Sequence, residues 1–275
     1  MIHIDHISKH YDHQKILDHV CFSINREETL AIVGHNGSGK STLLKIIAGL
    51  EKPTAGRIVK KHAEMKIGYV PEQFPNNIRF SPNEYLTLLG EMEGQPLPSL
   101  KKKITDLLHT FQLSDYADIR IQHFSKGMKQ KIGIMQALLS KPDFLILDEP
   151  LSGLDPQSQE ELADILNKLK YEGLPILFTC HERKLLERVA DRVYRINQGK
   201  IIAESVFPRV LTMEIKAVLS TDLPHPELHL ETISKSFRIR DRELVIKTTE
   251  EQSNQVIVKL ITNSYKIRSV NPSYS

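Results

Sequence analysis

"GHNGSGKST", residues 34 to 42, follows the apolar run "ETLAIV" and precedes a segment in which Leu43, Leu44, Ile46 and Ile47 recur at helical spacing. A glycine-rich turn between a buried strand and a helix is the context that a phosphate-binding loop requires. Its glycines let consecutive backbone N–H groups converge on an anion, and the helix N-terminus adds favourable partial charge. Gly34, His35, Asn36, Gly37, Ser38 and Gly39 therefore form a candidate cradle for the phosphates of a nucleotide. Lys40 is placed to reach the β- and γ-phosphates, the Ser41 hydroxyl to ligate Mg²⁺, and Thr42 to meet the α-phosphate.

About a hundred residues on, "FLILDEP" (144 to 150) places Asp148 at the end of a second buried strand and Glu149 directly after it. In a phosphate-loop protein an aspartate there holds Mg²⁺. Glu149 stands where a carboxylate can polarise an attacking water as general base. "PILFTC" (175 to 180) reads as a further strand. Strands and helical patterns alternate from about residue 28 to residue 197, which predicts an α/β fold around a mainly parallel sheet. Residues 79 to 118 carry helical patterns and prolines but no strand, so an inserted helical subdomain is expected over about residues 79 to 140. From about residue 210 the character changes. "FRIRDRELVIK" suggests a hairpin, Val256, Ile257, Leu260 and Ile261 fit one helix face, and "YKIRSV" fits a last strand. The expected division is a nucleotide-binding domain at 1–209 and a small α+β appendage at 210–275.

With 40% hydrophobic and 26% charged residues, the chain has the composition of a soluble globular protein. A net charge of only +3 gives no reason to expect nucleic acid as a partner. Cys21 and Cys180 lie far apart in apolar surroundings, which suits buried reduced thiols in a cytosolic protein rather than a disulfide or a catalytic role. The N-terminal stretch lacks the apolar core of a signal peptide, and the longest apolar runs are too short to cross a bilayer. Any role at a membrane would need another polypeptide.

Together these motifs resemble the ATP-binding cassette ATPases, the cytosolic motor subunits of ABC transporters, over about residues 2 to 203. The resemblance implies a P-loop NTPase fold of the ABC type and assigns further residues. Tyr11, in "SKHYDHQKIL", corresponds to the aromatic ring that stacks on adenine. Gln73, in "YVPEQF", falls at the Q-loop, where a glutamine senses Mg²⁺ and the attacking water. "LSGLD" (151 to 155) corresponds to the D-loop that crosses the dimer interface, with Ser152, Gly153, Leu154 and Asp155. Asp155 and Pro156 equally fit a helix N-cap and first helical residue. His181 matches the switch histidine that contacts the γ-phosphate. Glu149, His181 and Gln73 are thus the catalytic candidates, and Ser41, Gln73 and Asp148 the metal-site candidates.

"HFSKGMKQK" (123 to 131) lies where the family carries its "LSGGQ"-type signature. Met128, Ile132, Met135 and Leu139 recur on one helix face. That face would hold the helix start rigidly, with the Ser125 hydroxyl and Gly127 N–H presented outward to a γ-phosphate on the opposite subunit. Lys126 stands in place of a glycine and Met128 in place of a glutamine. Lys129 and Lys131 are expected on a solvated face, and whether Lys126 reaches nucleotide is open at this point. "SKGMKQ" variants are similar to those of bacterial ABC-2-type exporters.

The implied protein is an ATP-hydrolysing transporter subunit, cytoplasmic and peripheral to the inner face of the membrane. Two cassettes, as a homodimer or heterodimer, would sandwich ATP and Mg²⁺ and drive a separate transmembrane permease, with export as the expected direction. The competing reading is a non-hydrolysing regulatory nucleotide-binding subunit paired with an active cassette. The altered signature favours it; Glu149 and His181 oppose it.

Overall fold

A computed structural model describes residues 2–26, 28–62, 64–206, 212–219, 236–240 and 243–273. The chain parts into two compact units, Met1–Phe207 and Pro208–Ser275. The first begins with β1 (Ile2–Tyr11), β2 (Gln14–Ile24) and β3 (Thr29–Val33), then α1 (Lys40–Ala48), β4 (Ala55–Lys60) and β5 (Ile67–Val70). Three helices follow, α2 (Pro82–Met92), α3 (Leu97–Thr110) and α4 (Lys126–Leu138). The chain then resumes the alternation with β6 (Phe144–Leu147), α5 (Pro156–Tyr171), β7 (Ile176–Thr179), α6 (Arg183–Val189), β8 (Arg192–Asn197) and β9 (Lys200–Val206).

A six-stranded sheet in the order β5-β6-β7-β3-β8-β9 organises this unit. Its first five strands are parallel and β9 closes the edge antiparallel. Buried strands of such a sheet meet apolar neighbours on both faces, hence their unbroken apolar sequences. Along β6, Phe144 and Ile146 enter one core with α1 and the N-terminal strands, while Leu145 and Leu147 enter the other with α2 to α5. Alternation along β3 is the same, with Leu30 and Ile32 on one side and Ala31 on the other. All of the expected apolar residues of α1, Leu43, Leu44, Ile46 and Ile47, are buried.

α2 starts at a capping box: Ser81 accepts the Glu84 N–H, Glu84 accepts the Ser81 N–H, and Pro82 occupies the first turn. α4 departs from the expectation of one buried face. Gly127, Gln130, Lys131, Ile132, Gly133, Ile134, Met135 and Leu138 are all buried, because neighbours cover it on several sides. Lys131 is accordingly not solvated. It is 6% exposed, and its ammonium donates to Glu161 of α5 at 2.8 Å. That ion pair holds the Glu161 carboxyl below its ordinary range.

The N-terminal strands form a separate antiparallel sheet in the order β2-β1-β4, which periodicity in the sequence does not announce. Irregular register explains the silence. β1 shifts register against both neighbours after Ile4 and Asp5, and again toward β2 after Ile7. Each β-bulge interrupts the alternation that identifies a strand.

In the second unit, β10 (Thr212–Leu219), β11 (Ser236–Arg240), β12 (Glu243–Thr249), α7 (Glu250–Thr262) and β13 (Tyr265–Ser273) follow in sequence. The sheet order is β11-β12-β10-β13, antiparallel throughout, with β11 and β12 forming the expected hairpin. Val256 and Leu260 of α7 pack on Ile215, Ala217, Leu244, Ile246 and Tyr265. Ile261, expected on that buried face, is 59% exposed, since the sheet covers only a narrow stripe of the helix.

Gly56 of β4 carries a left-handed φ of 85°, and a Cβ there would fall 2.3 Å from the His6 carbonyl oxygen in the β1 bulge. Gly56→Ala is predicted to destabilise the chain by about 2 kcal/mol or more, from backbone strain and steric conflict together. The urea unfolding midpoint will measure it.

Candidate active site

The loop 34–39 leaves β3 and turns into α1 through Gly37 (φ 79°) and Gly39 (φ 100°), both in the left-handed region that glycine permits. No side chain caps α1. Its first amides are therefore available to an anion. Ser38 is buried inside the loop, and its hydroxyl has no hydrogen-bond partner. His35 is fixed at both ring nitrogens, Nδ1 at 2.8 Å from the Asn36 carbonyl and Nε2 at 3.0 Å from Asn197 Oδ1.

Lys40 is 6% exposed, so its charge needs partners. Its ammonium donates to the Gly34 carbonyl at 2.7 Å and the His35 carbonyl at 3.3 Å, and it lies 3.4 Å from Glu149 Oε1. His181 Nε2 lies 2.9 Å from the same carboxylate oxygen and 3.2 Å from Lys40 Nζ. Its protonation decides its partner: with a proton Nε2 donates to Glu149, and without one it accepts from Lys40.

β6 and β7 end side by side and deliver the acidic pair. Asp148, 3% exposed, accepts hydrogen bonds from Ser41 Oγ at 3.1 Å, Thr179 Oγ1 at 2.9 Å and Tyr69 Oη at 3.4 Å. Thr179 also accepts the Glu149 N–H at 2.7 Å. Glu149 has a left-handed φ of 47°, uncommon for a residue with a Cβ, and the Thr179 bond holds it there. Burial raises the Glu149 carboxyl above its ordinary range, against the opposing charges of His181 and Lys40. The Tyr69 phenol is likewise raised, by burial and then by the Asp148 charge.

Asn36, Gly37, Gly39, Lys40, Ser41, Thr42, Glu72, Glu149, Ser152 and His181 line one cavity of about 440 Å³, completed by Ile16. The structure thus brings together most of the sequence-predicted phosphate-loop residues with Glu149 and His181. Gln73 is not on the wall: it is exposed, and Glu72 faces the cavity instead, with Oε1 accepting from Ser152 Oγ at 3.4 Å. Neighbouring residues of an extended loop point in different directions, so counting along the motif does not decide which one enters. Tyr11 is not on the wall either. It is 45% exposed, its hydroxyl donates to Glu51, and Lys9 Nζ covers the ring at 4.9 Å. The Glu51 carboxylate raises its phenol.

None of the signature residues lines this cavity. Ser125 is exposed and caps α4 by accepting the Met128 N–H at 3.2 Å. Gly127 is buried, and a Cβ there would meet the Ser158 side chain at 2.8 Å. Close packing of α4 on the start of α5 is the cause. Met128 is half-buried against the helical core. Lys126 lies over Gly153, whose Cβ would come within 2.7 Å of Nζ. Leu154 is buried, and Asp155 caps α5 by accepting the Ser158 N–H at 2.9 Å. The Ser158 hydroxyl, which donates to Asp155 Oδ2 at 2.6 Å, and then that N–H hold the Asp155 carboxyl below its ordinary range.

Thr179 and Glu72 are the site residues that motif reading misses. Chemically, the arrangement offers hard oxygen donors from Ser41 and Asp148 that suit Mg²⁺. Beside them stand amides and a buried ammonium for phosphate, and a carboxylate of raised proton affinity for water.

A family model described as ABC transporter matches residues 17–152. The uncharacterized ABC transporter ATP-binding protein YxlF of Bacillus subtilis is 38% identical over 205 residues, spanning 73% of this chain and 69% of its own. The Nod factor export ATP-binding protein I of Ralstonia nicotianae is 32% identical over 238 residues, spanning 82% of this chain and 74% of its own. A solved ATP-binding subunit of an ABC transporter superposes with a TM-score of 0.67 at 31% identity, covering 75% of this chain and 90% of that one.

Because burial raises Glu149, the folded chain binds that proton more tightly than the unfolded chain does. This contribution to stability is full below the ordinary value of 4.5 and is lost as the pH rises through the raised pKa. Glu149→Gln is therefore predicted to raise the thermal midpoint at pH 7. The gain should shrink as the pH falls toward 4.5, and paired melting curves across that range will read it.

Proposed function

The chain belongs to the ABC transporter family as an ATP-hydrolysing, ATP-binding subunit, and on that premise we propose that it drives a transmembrane export partner by closing two cassettes around ATP. The observation that carries this reading is the convergence of Lys40, Ser41, Glu149 and His181 on one cavity at the strand ends, with Asp148 buried behind Ser41 and hydrogen-bonded to it. Residues 1–209 act as the motor, and 210–275 are an appendage of unassigned role.

Lys40 and the amides opening α1 neutralise the β- and γ-phosphates. Ser41 and Asp148 would hold Mg²⁺, which would supply charge neutralisation to the phosphates. Glu149 takes a proton from water as its oxygen bonds to the γ-phosphorus and the bond to ADP breaks. His181, already within 3.2 Å of Lys40, adds a second donor to the γ-phosphate. Glu72, tethered to Ser152, takes the place on the cavity wall that the motif reading gave to Gln73. Tyr11 meets the adenine once its ring is released from Lys9.

Ser125 stands outside its own chain's cavity, which supports its acting on nucleotide held by a second copy. Lys126, folded over Gly153, connects the signature to the D-loop of the same chain rather than reaching across. Export is drawn from the Nod factor relative and the ABC-2-like signature. A cytoplasmic position against a membrane permease fits the fact that no helix among the described residues is long and apolar enough to cross a membrane.

Purified chain with its co-expressed permease is predicted to hydrolyse ATP, and EDTA should abolish turnover. Glu149→Gln should lower kcat by about 10²-fold or more while retaining ATP binding. Glu72→Ala should lower kcat more than Gln73→Ala does. Wild-type protein that binds ATP yet never turns it over with the permease present would return the regulatory reading.

A further inference from the structure

A second group of reactive side chains lies on the β2-β1-β4 sheet, apart from the nucleotide cavity. Five of the twelve histidines, His3, His6, His10, His13 and His19, fall in the first 19 residues. Register brings two of them together. Ile4 pairs with Phe22 and Ile7 with Val20, so Asp5 and His6 jointly oppose Cys21. One step on, Ile7 pairs with Val20 and Lys9 with Leu17, so Asp18 and His19 jointly oppose Ser8. Of the three register shifts between β1 and β2, the first two each carry an Asp-His pair, and the third leaves Ile16 as an extra residue on β2.

The two pairs repeat the same local geometry. His6 and His19 have left-handed φ values of 52° and 50°. Each Nδ1 lies 2.7 Å from the carboxylate of the residue before it. An ion that takes the place of the proton shared in such a contact would bind Nδ1 and the carboxylate oxygen together. The two rings meet edge to face with centroids 6.4 Å apart. Bulges re-aim side chains. Gly56, which admits the His6 carbonyl, shows that the packing of β4 accommodates the β1 bulge closely.

Cys180 is buried as expected, but Cys21 is exposed, because it sits on the outer face of β2 opposite the β1 bulge, and its sulfur accepts the His6 N–H at 3.2 Å. One ligand atom each from Asp5, His6 and Cys21 lies within 4.8 Å of the others. In a tetrahedral site with bonds of about 2.0 to 2.3 Å, ligand atoms stand about 3.5 Å apart. Side-chain rotation at the exposed His6 and Cys21 closes that difference. Arg57 Nε donates to Asp5 Oδ2 at 3.1 Å, which leaves Oδ1 on the His6 side.

We propose that Asp5, His6 and Cys21 form a binding site for a divalent transition metal, with the fourth position left to water. Thiolate, imidazole and carboxylate together select a borderline ion such as Zn²⁺ over Mg²⁺ or Ca²⁺. Bound there, the ion cross-links β1 to β2 across one bulge and stabilises the folded chain by mass action.

Co²⁺ is the probe, titrated into reduced full-length protein without nucleotide. One equivalent should bind with a thiolate-to-metal charge-transfer band, and Zn²⁺ should displace it. Cys21→Ser should abolish the band. Asp5→Asn should weaken binding about 10-fold or more. So should His6→Asn, which keeps a residue that tolerates the left-handed backbone. MgATP turnover by each variant with its permease should stay at the wild-type level, which separates this site from the nucleotide cavity. Absence of a charge-transfer band, its survival in Cys21→Ser, or unchanged Co²⁺ affinity in His6→Asn would each overturn the assignment.

Discussion

One buried hydroxyl, that of Thr179 at the end of β7, sets the geometry of the reactive pair. It accepts the backbone N–H of Glu149 and donates to the carboxylate of Asp148. Both bonds lie where water does not compete, so losing either leaves a buried polar group unsatisfied, at about 1 to 3 kcal/mol. The same bond holds Glu149 in a left-handed backbone that costs about 1 to 2 kcal/mol unsupported. With that turn fixed, the Glu149 carboxylate reaches both Lys40 and His181. Parallel pairing of β6 with β7 brings the three residues into register: Leu147 lies opposite Phe178, one residue before Thr179.

Charge balance in the cavity follows from this arrangement. Lys40 is buried among loop carbonyls, the Glu149 carboxylate and His181, all at hydrogen-bonding or ion-pair distance. On the proposed function, an incoming phosphate would offer that ammonium new partners and free Glu149 to face water. The cavity thus holds an internal stand-in for the charge of its substrate. Ser125 and its helix sit elsewhere, anchored to α5 by the Gly127–Ser158 contact and the buried Lys131–Glu161 pair. The cavity and the signature-like segment lie on separate surfaces, an arrangement suited to joining two chains.

Much of the site was legible in the sequence because its motifs carry their own structural context. The phosphate loop lies between a strand and a helix, and "DEP" ends an apolar run that only a buried strand explains. Thr179 was not legible, since a threonine closing "PILFT" reads as an ordinary strand former. Glu72 and Gln73 differ only in which way the loop turns them. Lys131 reads as a solvated charge until α5 brings Glu161 against it, and Ile261 reads as core until the sheet proves too narrow to cover it. The N-terminal sheet escaped notice because bulges at Asp5–His6 and Asp18–His19 break the period of two. What the sequence could not convey, in every case, was contact between segments distant along the chain.

The most direct test is the turnover of Thr179→Val, which keeps the shape of the side chain and removes its hydroxyl. With the permease present, kcat should fall by about 10²-fold while the affinity for ATP stays within a few-fold of wild type. Thr179→Ser should keep most of the activity. Wild-type turnover in Thr179→Val, or equal losses in the valine and serine variants, would contradict the central role given to that hydroxyl.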